Sequence, residues 1–393
     1  MTKHEVSRES FSRRIWRKTW QGWGVKLGFA WIAVLIFAGV FAPFLANSMP
    51  LLMRKDGVIS APVLDYLTKE DVLVLAMFAL LVILAGVSWS AGKRLLVFIA
   101  GTLLATLLIN ALLTPPSVVI YDQFRSTAYT QVEWRVMPPI EYAPQDYLRD
   151  FGDTGLEEPL ESTERTHWMG TEENGADVLS RMIHASRIAL SIGLIATGIS
   201  LVIGVILGGL MGYFSGVIDM LGMRLVEIFE SIPTLFLLLT FVAFFGRSLY
   251  MMMIIIGVTS WSGYARYIRA EFLKLRKQDY VQAAVAGGLP LSSILFRHML
   301  PNGVAPLLVG VSFGVASAIL AEATLSFLGL GLVDAPSWGQ MLNQAVKSSL
   351  FNWWMAVFPG GAIFLTVFAY NLIGEAFRDA IDPQLSRNAG VNG

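Results

Sequence analysis

Eight apolar runs, each about as long as a bilayer is thick, constrain this chain more than any other feature. A helix needs about 20 mostly apolar residues to cross the hydrocarbon core. Such runs fall at residues 26–47, 72–91, 95–114, 185–212, 223–246, 249–267, 303–329 and 353–375. In lipid each backbone N–H and C=O must be satisfied within the segment, so the runs predict α-helices. Composition agrees: 55% of the 393 residues are hydrophobic and 15% charged, where soluble domains carry about 25% charged residues. The expected fold class is an all-α integral membrane protein with about eight transmembrane helices.

The distribution of Lys and Arg orients these spans. Lys3, Arg8, Arg13, Arg14, Arg17 and Lys18 precede the first run, and Lys93 and Arg94 follow the second. Arg266, Arg269, Lys274, Arg276 and Lys277 cluster at the end of the sixth. With an even number of spans, the positive-inside rule places all three groups, and both termini, in the cytoplasm. The long loop at 115–184 then lies outside. It turns acidic toward its end through Asp146, Asp150, Asp153, Glu157, Glu158, Glu161 and Glu164, which reads as a solvated outer face or a docking surface for a soluble partner. The first run exceeds the roughly 7–15 apolar residues of a cleavable signal sequence, so it is expected to be retained. The organisation that follows is a cytoplasmic segment 1–25, N-terminal spans within 26–114, an insertion 115–168, a core 169–385 and a cytoplasmic tail 386–393.

Several chemistries are excluded. The chain has no cysteine, hence no disulfide, thiolate ligand or cysteine nucleophile. His4, His167, His184 and His298 are scattered and form no metal-ligand pair. The formal net charge is zero, without a basic bias toward nucleic acid. Residues 170–177, GTEENGAD, lack the spacing of a calcium loop and read as a turn into an amphipathic entry helix. No Ser/His/Asp set suggests an enzyme, and no G-x-x-x-x-G-K-[ST] is present, so the chain carries no P-loop for ATP. A secondary transporter would need ionisable groups inside its spans, and Glu322 is nearly alone there. Glu322 has two readings, a pathway-lining or gate residue and a structural carboxylate near the outer interface. Glu227 and Glu230, just before Pro233, suit packing between helices better than substrate contact. Met251, Met252 and Met253 read as lipid-facing or core filler.

The remaining puzzle is QDYVQAAVAGGLPLSSILFRHMLPN, residues 278–302, which lies between two spans and is too short to cross anything. Asp279 and Gln282 stand at capping-box spacing. Tyr280 to Ala286 then makes about two turns, and Gly287 or Gly288 supplies a left-handed end. Pro290 fits the first position of a second helix, which Pro301 should stop. Helices this short are marginal alone and need a surface to pack against. Ala283, Ala284 and Ala286 would offer a smooth face to a cytoplasmic partner.

Gln282-Ala283-Ala284, then Gly288, then Leu300-Pro301 resembles the EAA loop of binding-protein-dependent ABC importer permeases. MGTEENGADVLSRMIHASRIALSIG (169–193), RLVEIFESIPTLFL (224–237), ILFRHMLPN (294–302), AEATLSFLGLG (321–331) and GEAFRDAIDP (374–383) narrow it to the C-type subunit of the dipeptide/oligopeptide/nickel family. The resemblance covers about 165–385. It implies a type I importer transmembrane domain that performs no catalysis and binds no cofactor, ATP being bound by partner subunits. It implies a bacterial inner-membrane location, a homologous B-type permease, two cytoplasmic ABC ATPases and an extracytoplasmic peptide-binding protein, with membrane lipid around the spans. The expected substrates are oligopeptides, with nickel complexes or another small solute as the alternative. Residues 278–302 would be the coupling loop, with Asp279, Gln282, Ala283, Ala284, Gly288, Pro290, Leu300 and Pro301 at the ATPase. Where the family has Glu this chain has Gln282, which keeps a hydrogen bond to the helix start but gives up an ion pair. The hairpin at 72–114 and the insertion at 115–168 are extra to the family pattern.

Overall fold

The computed structural model describes residues 17–20, 22–116, 118–124, 132–148, 156–160, 166–303, 305–332, 335–348, 350 and 352–381. Most of the N-terminal basic cluster, the 386–393 tail, and Asp150, Asp153, Glu161 and Glu164 of the acidic loop lie outside the described residues.

All eight apolar runs are helical. In chain order the helices of eight or more residues are α1 (Trp23–Val40), α2 (Lys69–Gly86), α3 (Ala91–Leu112), α4 (Val178–Phe214), α5 (Gly216–Ser231), α6 (Thr234–Phe245), α7 (Leu249–Thr259), α8 (Trp261–Leu275), α9 (Asp279–Ala286), α10 (Ala305–Phe327), α11 (Trp338–Lys347) and α12 (Trp353–Ile381). The runs differ in how continuous their helices are. Among the described residues, α1, α3, α4, α10 and α12 are each long and apolar enough to cross a membrane. The fifth run is the pair α5–α6, bent by 84°. Pro233 stands at the break, where its missing N–H and fixed φ prevent a continuous helix. The sixth run divides at Ser260 into α7 and α8. The second, α2, begins with Lys69, Glu70 and Asp71, and Thr68 and Asp71 form a full capping box.

By its contacts the chain divides into two compact units. The first comprises Met1–Ala33, Ala189–Val333 and Gly360–Gly393. Small residues set its packing, as expected where lipid offers helices no hydrophobic drive to associate. A Cβ on Gly28 would lie 3.1 Å from the carbonyl oxygen of Ala369, so α1 rides against α12, and Trp31 Nε1 donates to Thr366 Oγ1 at 3.0 Å. A Cβ on Gly193 would lie 2.9 Å from Ile319 and Val315 of α10. Ser200 Oγ of α4 donates to the carbonyl of Gly257 in α7 at 2.7 Å.

The second unit comprises Val34–Ile188 and Asp334–Pro359. It holds β-structure that the apolar pattern alone did not require. Strands β1 (Leu52–Lys55), β2 (Val58–Ser60) and β3 (Val132–Val136) form an antiparallel sheet in the order β2-β1-β3. Part of the 115–168 insertion is therefore stitched to the loop that follows the first span. Beneath the sheet Met49, Val63 and Phe124 form a buried cluster. The extra hairpin α2–α3 is tied to α4 in the same unit by Arg187 Nη1 and Asp71 Oδ1, 2.5 Å apart. At the start of α4, Asp177 accepts from Ser180 N at 2.7 Å and meets buried His167 Nδ1 at 2.9 Å. The segment expected as a turn into an entry helix is just that: Gly170 takes φ +73°, and Glu172 accepts from Asn174 N at 3.0 Å.

Candidate functional site

The stretch 278–303 folds as two short helical pieces within the first unit. The sequence fits the first, α9, to just over two turns, and its end is a Schellman motif. Leu289 N donates to Ala284 O at 3.2 Å and Gly288 N to Val285 O at 3.0 Å. Gly288 holds the left-handed position at φ +68°, whereas Gly287 is right-handed. Only the second of the two glycines is therefore required by the backbone.

Three details differ from expectation. First, the capping box does not form. The N-cap is Gln278, and no side chain caps the helix start. Asp279 sits in the first turn, exposed, where a carboxylate still opposes the positive end of the helix dipole. Gln282 turns the other way, and its Nε2 donates to the carbonyl oxygen of Arg276 at 2.6 Å. Second, the alanines do not share a face. Ala284 is 6% exposed and Val281 0%, both packed against Ile268, Phe272, Leu275 and Met299. Ala283 and Ala286 are exposed, beside Tyr280, Val285 and Leu289. The surface left for a partner is an apolar ridge of small and medium side chains that excludes Ala284.

Third, Pro290 is the N-cap, not the first helical residue, and Pro301 does not stop the second helix. That helix runs Leu291–Ser293, Ile294–Met299 and Leu300–Gly303, and its middle piece is a π-helix. A proline in an α-helix clashes with the carbonyl four residues back. Here Leu300 N bonds Leu295 O, one residue further back than in an α-helix, so the turn is already widened where the ring of Pro301 enters.

The ground beneath α9 is α8, and α8 is fused to the end of α4. Glycines 204, 208 and 212 recur every four residues along α4. A Cβ on Gly204 would lie 2.5 Å from Tyr264 Cβ, and one on Gly212 2.7 Å from Arg269 O. One on Gly208 would overlap the carbonyl oxygen of Ala265. Tyr264 OH donates to Gly310 O of α10 at 3.1 Å. Arg276 Nη1 donates to Tyr213 O in the last turn of α4 at 3.1 Å. Arg269 grips Asp219 of α5 with two bonds, Nη2 to Oδ2 at 2.7 Å and Nε to Oδ1. The four-residue spacing of these glycines is the sequence signal that could have marked the close contact. The pairing of Arg269 with Asp219, 50 residues apart, carried no signal.

Glu322 lies in α10, 2% exposed, and accepts from Ser326 Oγ at 2.6 Å. At about 1.5 Å per residue it stands roughly 25 Å along the helix from Ala305, far from the loop. Of the two carboxylates expected to act between helices, Glu230 does so through Arg266 of α8, whereas Glu227 pairs within α5, with Arg224 at 2.5 Å. Met252 and Met253 are buried core.

The loop, the glycine seam, α10 and α12 fall in one stretch, and that stretch is shared with known proteins. Residues 204–387 match the model of the binding-protein-dependent transport system inner membrane component. The dipeptide transport system permease DppC of Alkalihalophilus pseudofirmus is 34% identical over 245 residues, 62% of this chain and 81% of that one. The oligopeptide permease OppC of Bacillus subtilis is 35% identical over 248 residues, 63% and 81% of the two chains. The di/tripeptide permease DppC of Pseudomonas aeruginosa is 40% identical over 250 residues, 63% and 82%. A solved structure of the inward-facing MetNI methionine ABC transporter overlaps 52% of this chain and 98% of its own, at 17% identity and a TM-score of 0.42. Coverage of four-fifths of such relatives leaves the family in no doubt: the chain is an ABC importer permease of the C type and belongs to the binding-protein-dependent transport-system inner membrane components.

Proposed function

We propose that this permease forms half of the translocation pathway of a peptide importer and that residues 278–302 couple it to a separate ATPase. The names of its relatives support peptides as the substrate class. The observation that carries the coupling reading is the exposed ridge of α9, Ala283 and Ala286 beside Val285 and Leu289, ended by a positive-φ glycine and seated on α8. Gln282, Gly288 and Pro290 shape that ridge, Ala283 lies on it, and Ala284 anchors it from beneath. Leu300 and Pro301 belong to the helix behind it. The basic residues Lys274 and Lys277 beside the loop support a cytoplasmic placement for it, and with it for both termini. The insertion at 115–168, expected outside by the same charge rule, would contact the binding protein or the partner permease.

The partners are then a homologous permease, two ATPases that bind and hydrolyse ATP, and a soluble binding protein. In the cycle the liganded binding protein docks outside, ATP closes the ATPase pair, and the loops pass that motion to the spans. This chain bonds no substrate covalently and performs no catalytic step. Glu322, buried and bonded to Ser326, suits a structural carboxylate better than a gate. The alternative substrates are nickel complexes or another small solute. The test is to purify the assembly from its native membrane and identify the binding protein and its ligand by mass spectrometry. A peptide is the expected ligand, and a metal chelate in its place overturns the peptide reading. Ala283→Arg should release the ATPases from the purified complex, and their retention with normal uptake overturns the coupling reading.

A further inference from the structure

We infer that Gln282 is a positioning residue of the transport cycle, clipping α9 to the end of α8 and, through Arg276, to the end of α4. The inference rests on the coupling reading of 278–302. Its core is a hydrogen bond that a glutamine makes and a glutamate cannot. Gln282 Nε2 lies 2.6 Å from the carbonyl oxygen of Arg276. At that distance from a carbonyl oxygen the contacting atom must be the amide donor, since a carboxylate or amide oxygen there would meet lone pair with lone pair. The carbonyl belongs to the C-cap of α8, one of the terminal carbonyls that a helix leaves without an internal partner.

Arg276 carries the connection onward. Its backbone accepts from α9, while its guanidinium donates to Tyr213 O, 3.1 Å away, at the C-terminal end of α4. A cation there also opposes the negative end of the α4 dipole. The next turn is tight: Ser215 and Gly216 take successive positive φ values, +51° and +58°. Beyond it Arg269 holds Asp219 through both carboxylate oxygens. The α4–α5 corner is thus held from two successive levels of α8. Since the glycine seam brings the α4 and α8 backbones into direct contact, a displacement of α8 moves α4 with it. The weak member of this series is the junction of α9 to α8, where three residues intervene and Val281 and Ala284 supply the apolar contact. Gln282 closes that junction.

The sign of one substitution separates this role from a contact with the ATPase. If residue 282 faced a basic group of the partner, Gln282→Glu would add an ion pair and preserve or improve coupling. If it clips α9 to Arg276 O, Gln282→Glu sets a carboxylate against a carbonyl and opens the junction. Gln282→Met keeps the length and removes the bond without adding charge. The experiment reconstitutes the complete importer with its binding protein in lipid vesicles and measures solute taken up per ATP hydrolysed. It also follows amide exchange of residues 282–286 in the same complexes. Gln282→Met is expected to keep the ATPases bound, to lower uptake per ATP on the order of tenfold and to speed amide exchange by a similar factor, the ratio set by losing one such hydrogen bond. Gln282→Glu should fall at least as far. Arg276→Met, which leaves the clip but cuts the link to Tyr213, should lower uptake per ATP while exchange at 282–286 stays unchanged. Equal or better coupling in Gln282→Glu, or unchanged exchange in Gln282→Met, overturns the clip. Failure of the underlying coupling reading shows separately, as Ala283→Arg complexes that retain their ATPases and transport normally.

Discussion

Removing the carboxylate of Asp71 should destabilise the permease more than any other single change in its extra hairpin. Asp71 and Arg187 meet at 2.5 Å with side chains only 10% and 15% exposed. Arg187 has little else. Its Nε donates to Gly39 O at 2.9 Å, and its Nη2 is buried without a hydrogen-bond partner among the described residues. Asp71→Ala would leave that guanidinium without its counter-charge, and breaking a buried pair from one side costs about 3–5 kcal/mol. Asp71 also accepts from Thr68 N at 2.9 Å and Thr68 Oγ1 at 2.7 Å, so the substitution deletes the N3 half of the capping box while Thr68 Oγ1 still caps α2. Asp71→Asn separates the two, because an amide oxygen still caps α2 but carries no charge. The assay is thermal unfolding of the detergent-purified permease, where each kcal/mol moves the midpoint by at most roughly 2–4 °C for a chain this long. The expected order of midpoints is wild type, Asp71→Asn, Asp71→Ala. Adding Arg187→Met to Asp71→Ala should recover much of the loss, since no unpaired charge remains. An unchanged midpoint in Asp71→Ala, or a double variant worse than the sum of the singles, refutes the argument.

Two further outcomes follow from positions where the backbone leaves no choice. Gly208→Val should impair folding or insertion, because even its Cβ overlaps Ala265 O and the seam has no flexible side chain to yield; the yield of monodisperse protein in size-exclusion chromatography checks this, and Gly263→Val, with nothing within 4 Å of its added Cβ, is the control. Gly288→Ala keeps ample space yet forces an alanine to φ +68°, so it should cost about 1 kcal/mol and loosen the end of α9, read as faster amide exchange there and no change at α12.

Much of the membrane core was legible because one physical demand governs it. A segment in lipid must be apolar and self-bonded, so the eight runs became helices where their composition placed them. Their interruptions were less legible. Pro233 announces the bend between α5 and α6, but the division at Ser260 has no comparable marker. The sheet was hidden for another reason: β1 and β2 are only four and three residues long, and β3, the other partner of β1, stands more than seventy residues away. The faces of α9 were undecided by pattern. Tyr280, Val281, Ala283, Ala284, Val285 and Ala286 surround the helix almost completely, so no apolar stripe marks an inside. The core beneath it, Phe272 and Met299 above all, selects Val281 and Ala284.

The links that tie the loop to the bundle share a property that explains both their strength and their silence in the sequence. Gln282 donates to Arg276 O, Arg276 to Tyr213 O, Tyr264 to Gly310 O and Ser200 to Gly257 O. In each a side chain meets a backbone carbonyl, so the sequence names only the donor. Every residue has a carbonyl, and nothing in the acceptor's identity betrays it. Such acceptors are fixed by the helices themselves, which makes the bonds directional. A change at the donor is another matter. At Gln282 the difference between an amide and a carboxylate, one nitrogen for one oxygen, decides whether the bond exists at all. The family resemblance treats that exchange as a lost ion pair with a partner. In this chain the amide has a bond of its own to make, which turns an apparent loss at the interface into a gain in the stiffness behind it.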